Sequence, residues 1–276
     1  MQAGKDIVET PGAAAPGAVP LGAIDADAIR AEIERIGYAV APGAVDTAAL
    51  DRLRAFWLAE YAKPCPLAPI IWGPYLGEAN SVLFDEGATH CLYRSFDYLW
   101  NPPYDALTRE LGLALNRARN RIVGAAEHYG ELMDPERYGV YVTTSYYPCG
   151  SGWMHMHPDE ARGRRHWHFI LPLTFRGEHY TAGGLVLMDR RGTRVDIEDR
   201  VSPGGVVFYD GALSHGVDRI EGGEGRRTGR LQLFAIPTFF ELPAANQRHA
   251  ADLPTAAFLR AKLSRLKWRM LRGRTR

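Results

Sequence analysis

The chain has few cysteines, almost no net charge and no long apolar run, and each of these absences excludes a class of protein. Its 276 residues include only three cysteines, Cys65, Cys91 and Cys149, without a CxxC motif. An odd set of this kind argues against a disulfide framework or a zinc cluster and suits a reducing cytosol. A formal net charge of +1 gives no reason to expect nucleic acid as a partner. No apolar run has the length that spans a bilayer. We therefore expect a cytoplasmic protein.

The two ends of the chain differ in composition from the rest. Residues 1–23 are rich in Ala, Gly and Pro, which predicts a mobile tail. Residues 254–276 predict a helix, in which eight basic residues and no acidic residue fall between Arg260 and Arg276. A basic amphipathic helix either lies on an anionic membrane surface, here at the inner membrane face, or packs its leucines on the domain. The sequence leaves both arrangements open.

Between these ends, a helical part precedes a β-rich part. Apolar residues at helical spacing, with Asp at the start, predict helices over 25–37, 46–61 and 105–128, and a short strand at 38–41. Residues 63–103 show no clean period, which predicts irregular structure. Its aromatic residues either cover a pocket or pack under a long loop.

After residue 138 the apolar residues alternate or form short runs, and turns rich in Gly, Pro and Asp separate them. This pattern predicts strands at 139–147, 167–175, 184–188, 193–197, 206–209 and 231–239. Many short strands of this kind are typical of an antiparallel sandwich or barrel. We expect a mainly β fold with flanking helices in one domain over 24–253, with a helical part at 24–137 and a β core at 138–243.

The most specific functional signal is a His-Pro-Asp sequence followed by a distant histidine. His157 and Asp159 are two residues apart, so on an extended chain both side chains reach the same side. His215 follows another predicted strand and a Pro-Gly-Gly turn. Two imidazoles and one carboxylate form the ligand set of non-haem Fe(II) sites that keep one face of the metal open. The sequence predicts a catalytic metal site of these three residues; the alternative is a surface hydrogen-bonded pair and a strand cap.

Other histidines lie near the predicted ligands. His155 is also two residues from His157 and competes as a ligand, but no carboxylate follows it two positions later, so we rank it below Asp159 and expect it to line the pocket. His166 and His168 alternate with Trp167 at the start of a predicted strand. Either one of these two histidines faces the pocket or both are structural.

Six short motifs follow one another between residues 138 and 240. They are Tyr146–Gly150, His157–Asp159, Leu171–Thr174, Gly183–Leu185, Pro203–Phe208 and His215–Val217. In this order and spacing the set resembles the core of the Fe(II)/2-oxoglutarate-dependent oxygenases. The opening helix–strand–helix pattern is similar to the phytanoyl-CoA dioxygenase branch, and the Tyr-Tyr lead-in to the prolyl 4-hydroxylase branch. The resemblance implies a double-stranded β-helix, a jelly-roll or cupin-like barrel, with Fe(II), 2-oxoglutarate and O₂ at its mouth and with ascorbate as a stimulant.

The same resemblance implies a basic residue that binds the far carboxylate of 2-oxoglutarate near the last core strand. The candidates are Arg226, Arg227 and Arg230, because no Lys lies between His215 and Phe240. An Arg fork meets a carboxylate bidentately. We prefer Arg230, which alternation places on one face with Gln232 and Phe234, whereas the usual family spacing favours Arg226 or Arg227. Tyr146 or Thr144 on the lead-in strand is expected to touch the cosubstrate.

The resemblance implies oxidative decarboxylation of 2-oxoglutarate to succinate and CO₂, coupled to oxidation of a small molecule. Hydroxylation of an unactivated C–H bond in a natural product, lipid or sugar-lipid is the default outcome. The alternatives are a metal dioxygenase or isomerase that needs no 2-oxo acid, or a silent ligand-binding jelly roll. The expected substrate contacts are His155, Arg94, Arg162 and Trp167.

Overall fold

The computed structural model describes residues 20–66, 80–99, 101–131, 140–159, 167–223 and 228–237. Residues 1–19 of the predicted tail and the whole of the predicted basic helix at 254–276 lie outside these residues. Within them, no helix combines the length and the hydropathy needed to cross a membrane.

The described residues contain three helices, and two of them end where a glycine turns the backbone. They are α1 (Ala26–Ile36), α2 (Thr47–Tyr61) and α3 (Ala106–Val123). The carboxylates of Asp25, Asp46 and Asp105 accept hydrogen bonds from the first-turn amides, which explains where the helices begin. The prediction that the third helix reaches His128 was wrong, because Gly124 has a φ of 77° and ends α3 in the left-handed conformation.

Eleven strands make up the rest of the regular structure in the described residues. They are β1 (Tyr38–Ala41), β2 (Ser81–Glu86), β3 (His90–Tyr98), β4 (Val140–Tyr147), β5 (Trp153–His157), β6 (Trp167–Pro172), β7 (Ala182–Met188), β8 (Arg194–Asp196), β9 (Val206–Asp210), β10 (His215–Glu221) and β11 (Arg230–Pro237).

The prediction of irregular structure over residues 63–103 was wrong for β2 and β3. Most of β3 is buried on both faces, so its sequence does not alternate between apolar and polar residues. The structure describes residues 63–66, 80–99 and 101–103 of this region. Two further strands, β5 and β10, were absent from the prediction, and both contribute to the site described below.

The strands pair antiparallel in the order β1-β9-β6-β11-β4-β3-β5-β10-β7-β8, and β2 pairs with β3. Two groups of four strands, β9-β6-β11-β4 and β5-β10-β7-β8, are therefore joined through β3, and their side chains line one common cavity. Helix α3 packs on β4, where Gly112 faces Val142. The mainly β fold with flanking helices agrees with the prediction.

Candidate active site

Three potential metal ligands from two segments of the chain converge at one end of the β5–β10 pair. His157 ends β5, Asp159 follows it, and His215 begins β10 opposite His157 in the antiparallel register. One ligand atom from each of these side chains lies within 4.8 Å of the ligand atoms of the other two. The rings of the two histidines are 4.6 Å apart between centroids. The three residues that the sequence predicted as metal ligands thus form one cluster.

Both histidines have their tautomer set by a backbone hydrogen bond. Nδ1 of His157 lies 2.9 Å from the carbonyl oxygen of His155, and Nδ1 of His215 lies 2.9 Å from that of Leu213. A carbonyl oxygen only accepts, so each Nδ1 carries a proton, and Nε2 is the nitrogen of each ring that can bind a metal ion. Metal-binding histidines in proteins commonly have this second hydrogen bond. The two rings are therefore arranged as nitrogen donors toward Asp159.

The carboxylate of Asp159 is oriented by two neighbouring segments. Its backbone N–H donates to the carbonyl of Gly211 at 2.7 Å, which ties the residue to the turn after β9. Its Oδ2 accepts a hydrogen bond from Nε2 of His168 at 2.6 Å and lies 3.6 Å from Nε2 of His215. His168 is one of the two histidines expected to be either structural or in the pocket, and it lines the cavity. His166 lies outside the described residues.

Burial keeps the His215 ring neutral. Desolvation lowers the pKa of His215 to about 4, although the charge of Asp159 and the hydrogen bond to Leu213 oppose the shift. A neutral imidazole is the form that binds a metal ion. At neutral pH this side chain is already in the ligand form.

The donor cluster opens into a cavity of about 180 Å³ between the two strand groups. Apolar residues form much of its wall, among them Ile170, Leu185 and Phe234. Besides the three donors, the polar side chains that line it are Arg94, Tyr141, Tyr147, His168, Tyr209 and Gln232.

The alternation along β4 brings Tyr141 and Tyr147 into the cavity and turns Thr144 and Tyr146 to the opposite face. The hydroxyl of Thr144 hydrogen-bonds that of Tyr61 at 2.7 Å, and the Tyr146 ring stacks on Tyr61 at 5.4 Å between centroids. Neither Thr144 nor Tyr146 lines the cavity. The sequence indicated a cosubstrate contact from Tyr146 or Thr144 and did not single out Tyr141 and Tyr147, which line the cavity. The register of β4 against β11 decides which face of β4 reaches the cavity, and the sequence does not give this register.

Burial raises the pKa values of the cavity tyrosines. The pKa of Tyr141 rises to about 12, mainly through desolvation, and the charge and hydrogen bonding of Arg94 offset part of the rise. Desolvation also raises the pKa values of Tyr147 and Tyr209. These phenols therefore stay protonated and can donate hydrogen bonds into the cavity.

The arginine preferred from the sequence, Arg230, lies beside the cavity but does not line it. Its Nε donates to Oε1 of Glu198 at 2.7 Å, both side chains are almost fully buried, and its Nη1 donates to the amide oxygen of Gln232. Nη2 of Arg230 has no hydrogen-bond partner among the described residues. Gln232 and Phe234, which share its face of β11, do line the cavity. Arg226 and Arg227 lie outside the described residues.

The expected substrate contacts occupy different places. Arg94, on β3, is buried and lines the cavity. His155 is exposed, with its ring 6.1 Å from that of His157, and it does not line the cavity. Trp167, at the start of β6, is buried outside the cavity wall. Arg162 falls outside the residues that the structure describes.

No protein-family model and no curated protein matches the chain. Solved structures do match. A Pseudomonas putida prolyl-4-hydroxylase is 17% identical with a TM-score of 0.53, and the match covers 76% of this chain and 96% of that one. SnoK, a non-heme alpha ketoglutarate dependent carbocyclase from nogalamycin biosynthesis, is 14% identical with a TM-score of 0.51, covering 84% and 89%. AviO1 from Streptomyces viridochromogenes Tue57 is 18% identical with a TM-score of 0.50, covering 78% and 95%.

At these identities the likeness shows the fold. The chain has the jelly-roll fold of solved Fe(II)/2-oxoglutarate oxygenases, which confirms the predicted fold class. Within this fold, the predicted triad lies at the cavity and its three ligand atoms are close together.

Proposed function

We propose that the protein is a non-haem Fe(II)- and 2-oxoglutarate-dependent dioxygenase that hydroxylates an unactivated C–H bond of a small molecule and releases succinate and CO₂. The observation that carries this proposal is the cluster of His157, Asp159 and His215, whose ligand atoms lie within 4.8 Å of one another at the cavity. The fold, shared with enzymes of this chemistry, supports it.

The donor set fits Fe(II). Two neutral imidazoles and one carboxylate on one side of an ion leave the remaining positions open for other ligands, as in the 2-His-1-carboxylate site. The Nδ1 hydrogen bonds of the two histidines leave Nε2 as the donor atom on both rings. When bound there, Fe(II) would supply the activation of O₂ at the expense of 2-oxoglutarate.

The residues of the chain would hold the reactants and exclude bulk water. A cavity of about 180 Å³ is close to the roughly 150 Å³ of an engineered cavity that holds benzene. It therefore suits a five-carbon 2-oxo acid, and we expect the substrate to bind nearer the mouth. The apolar wall formed by Ile170, Leu185 and Phe234 would keep water from the reacting atoms.

Hydroxylation is the proposed outcome among several that this fold supports. The solved structures that resemble the chain include both a prolyl-4-hydroxylase and a carbocyclase. The metal-ligand set does not distinguish these reactions. The position of the substrate relative to the metal selects the product. A screen of products by mass spectrometry, reading a gain of one oxygen against a loss of two hydrogens, separates hydroxylation from desaturation or ring closure.

The experiment that tests the function measures succinate formed from 2-oxoglutarate by the Fe(II)-loaded protein, in air and without oxygen. We expect oxygen-dependent succinate in the wild type and a loss of at least about 100-fold in Asp159→Ala, because the loss of a metal ligand removes the site. Asp27→Ala is the matched control, since the Asp27 side chain is 90% exposed. Equal turnover in wild type and Asp159→Ala would contradict the assignment. Oxygen uptake that 2-oxoglutarate does not stimulate would favour a dioxygenase independent of 2-oxo acids.

A further inference from the structure

The turn between β9 and β10, residues 211–214, holds two of the three proposed metal ligands through its backbone carbonyls. The carbonyl oxygen of Gly211 accepts a hydrogen bond from the backbone N–H of Asp159 at 2.7 Å. The carbonyl oxygen of Leu213 accepts one from Nδ1 of His215 at 2.9 Å, and His215 directly follows the turn in the chain. A shift of this turn would therefore move both ligands at once.

The other side of this turn lies against the C-terminal end of α1. The backbone N–H of Asp210, the last residue of β9, donates to the carbonyl oxygen of Gly37 at 2.9 Å. Gly37 caps α1 in the left-handed conformation, with a φ of 100°. The Leu213 side chain packs so closely over this cap that a Cβ on residue 37 would lie 2.2 Å from its Cδ1. Glycine at the cap therefore lets the helix end and the turn pack directly on each other.

Arg190, which lies two residues after the end of β7, links the end of α1 to Asp210. Its Nε donates to the carbonyl oxygen of Ile33 at 3.0 Å, its backbone N–H donates to that of Ile36 at 3.1 Å, and its Nη2 donates to Oδ2 of Asp210 at 2.7 Å. A cation at a helix C-terminus is favourable because the last carbonyls carry partial negative charge. Oδ1 of Asp210 accepts from the backbone N–H of Ala212 at 3.1 Å. One carboxylate thus connects the guanidinium to the turn.

The ion pair of Arg190 and Asp210 is held more firmly than an ordinary surface pair. Exposed ion pairs contribute little to stability because two long side chains must give up their freedom to form them. Here the Asp210 side chain is only 12% exposed, and that of Arg190 is 34% exposed. The guanidinium is also fixed at a second point, on the helix carbonyl of Ile33. A single side chain therefore keeps α1 and the start of the turn at a set distance.

We propose that Arg190 is a positioning residue for the metal site. It holds the end of α1 against Asp210 and thereby fixes the turn at 211–214. The carbonyls of this turn then orient Asp159 and His215. The inference rests on the metal site of the proposed function, but not on the cosubstrate or the substrate. It gives a helix outside the β core a role in metal binding.

The test measures amide exchange and metal affinity on the same variants. Hydrogen exchange of the metal-free protein, followed by NMR, reports on the backbone N–H groups of Asp159 and Asp210. A competition titration of Mn(II) against a chelator, without oxygen, reports on the affinity. We expect Arg190→Gln to speed exchange at both amides and to weaken Mn(II) binding by about 10-fold, the lower end of the effect of removing outer hydrogen bonds from metal sites. Arg191→Gln, on the neighbouring exposed arginine, is the matched control and should change neither.

A double-mutant cycle shows whether the effect passes through Asp210. Asp210→Asn keeps an oxygen that can accept from the Ala212 N–H and removes the charge that faces Arg190. We expect the double variant to lose no more affinity than Arg190→Gln alone, because both substitutions break the same link. Losses that add up would mean that Arg190 acts by another route, and they overturn the inference.

A further variant separates positioning from general stability. Gly112→Ala, at the contact of α3 with Val142 on β4, should destabilise the fold and leave the Mn(II) affinity unchanged. A folded Arg190→Gln that binds Mn(II) as tightly as the wild type overturns the inference alone, whatever its exchange rates. If Arg190→Gln does not fold, Asp210→Asn breaks the same link, and wild-type affinity in that variant has the same meaning. A wild type that does not bind Mn(II) contradicts the proposed function and the inference together.

Discussion

The hydrogen bond from His168 to Asp159 is expected to set much of the metal affinity. Nε2 of His168 lies 2.6 Å from Oδ2 of Asp159, and both side chains are largely buried, at 8% and 24% exposure. An ionised carboxylate only accepts, so the imidazole donates. Such a bond to a charged group contributes about 1.5–3 kcal/mol. We therefore expect His168→Phe, which fills the space without the donor, to weaken metal binding by about 10- to 100-fold, in line with the effect of removing outer hydrogen bonds from metal sites.

The assay is a competition titration of Mn(II) between the protein and a chelator of known affinity, without oxygen. His168→Gln supplies an amide donor at a similar position and should recover part of the affinity. His128→Phe is the matched control, since the His128 side chain is 67% exposed. Thermal unfolding of the metal-free variants checks that the fold is retained. If folded His168→Phe binds Mn(II) as tightly as the wild type, then Asp159 is oriented without His168 and the reasoning is refuted.

Three other predictions concern stability. The pKa of His215 in the folded protein is lowered to about 4, so the unfolded chain binds one more proton than the folded chain between pH 4 and 6.5. The free energy of unfolding of the metal-free protein should therefore fall by about 3 kcal/mol as the pH falls through that window. Urea titrations of His215→Gln should not show this loss. Glu198→Gln leaves Arg230 buried without its counter-ion and should cost about 3–5 kcal/mol in denaturant unfolding, whereas Glu198→Leu with Arg230→Met should cost less; equal costs would contradict a buried ion pair. Gly112→Ala brings a Cβ within 2.5 Å of Val142 Cγ1 and should cost about 1–3 kcal/mol, with Gly87→Ala as the tolerated comparison in thermal melts.

The parts of the fold that depend on local chemistry could be predicted from the sequence. Asp25 and Asp46 mark helix starts because their carboxylates bond first-turn amides a few residues away. The metal donors were also accessible, because the two-residue spacing of His157 and Asp159 is a local property of an extended chain. These features need no knowledge of which strands are neighbours.

The parts that depend on long-range pairing were not predicted. Strand β3 is buried on both faces, so its sequence lacks the alternation that reveals a half-buried strand. The face of β4 that reaches the cavity depends on its register against β11, which pairs Ser145 with Gln232. Whether Thr144 or Tyr147 faces the cavity therefore depends on the pairing of β4 with β11 (Arg230–Pro237), which lies nearly ninety residues further along the chain. The inward placement of Arg94 depends on a second register, that of β3 against β4, which pairs Arg94 with Ser145.

The three metal donors differ in how firmly the backbone holds them. His215 lies on β10, which is hydrogen-bonded to β5 on one side and to β7 on the other. His157 is the last residue of β5, and Asp159 lies beyond the end of that strand. All five residues of β5 are at least partly exposed. Amide hydrogen exchange should therefore be slow along β10 with or without metal. Metal binding should slow exchange chiefly at the end of β5, since local opening there separates His157 from the other two donors. Asp159 stays tied to the turn after β9 by its backbone hydrogen bond to Gly211. In this protein, loss of the ion should begin with the release of His157, while His215 keeps its place.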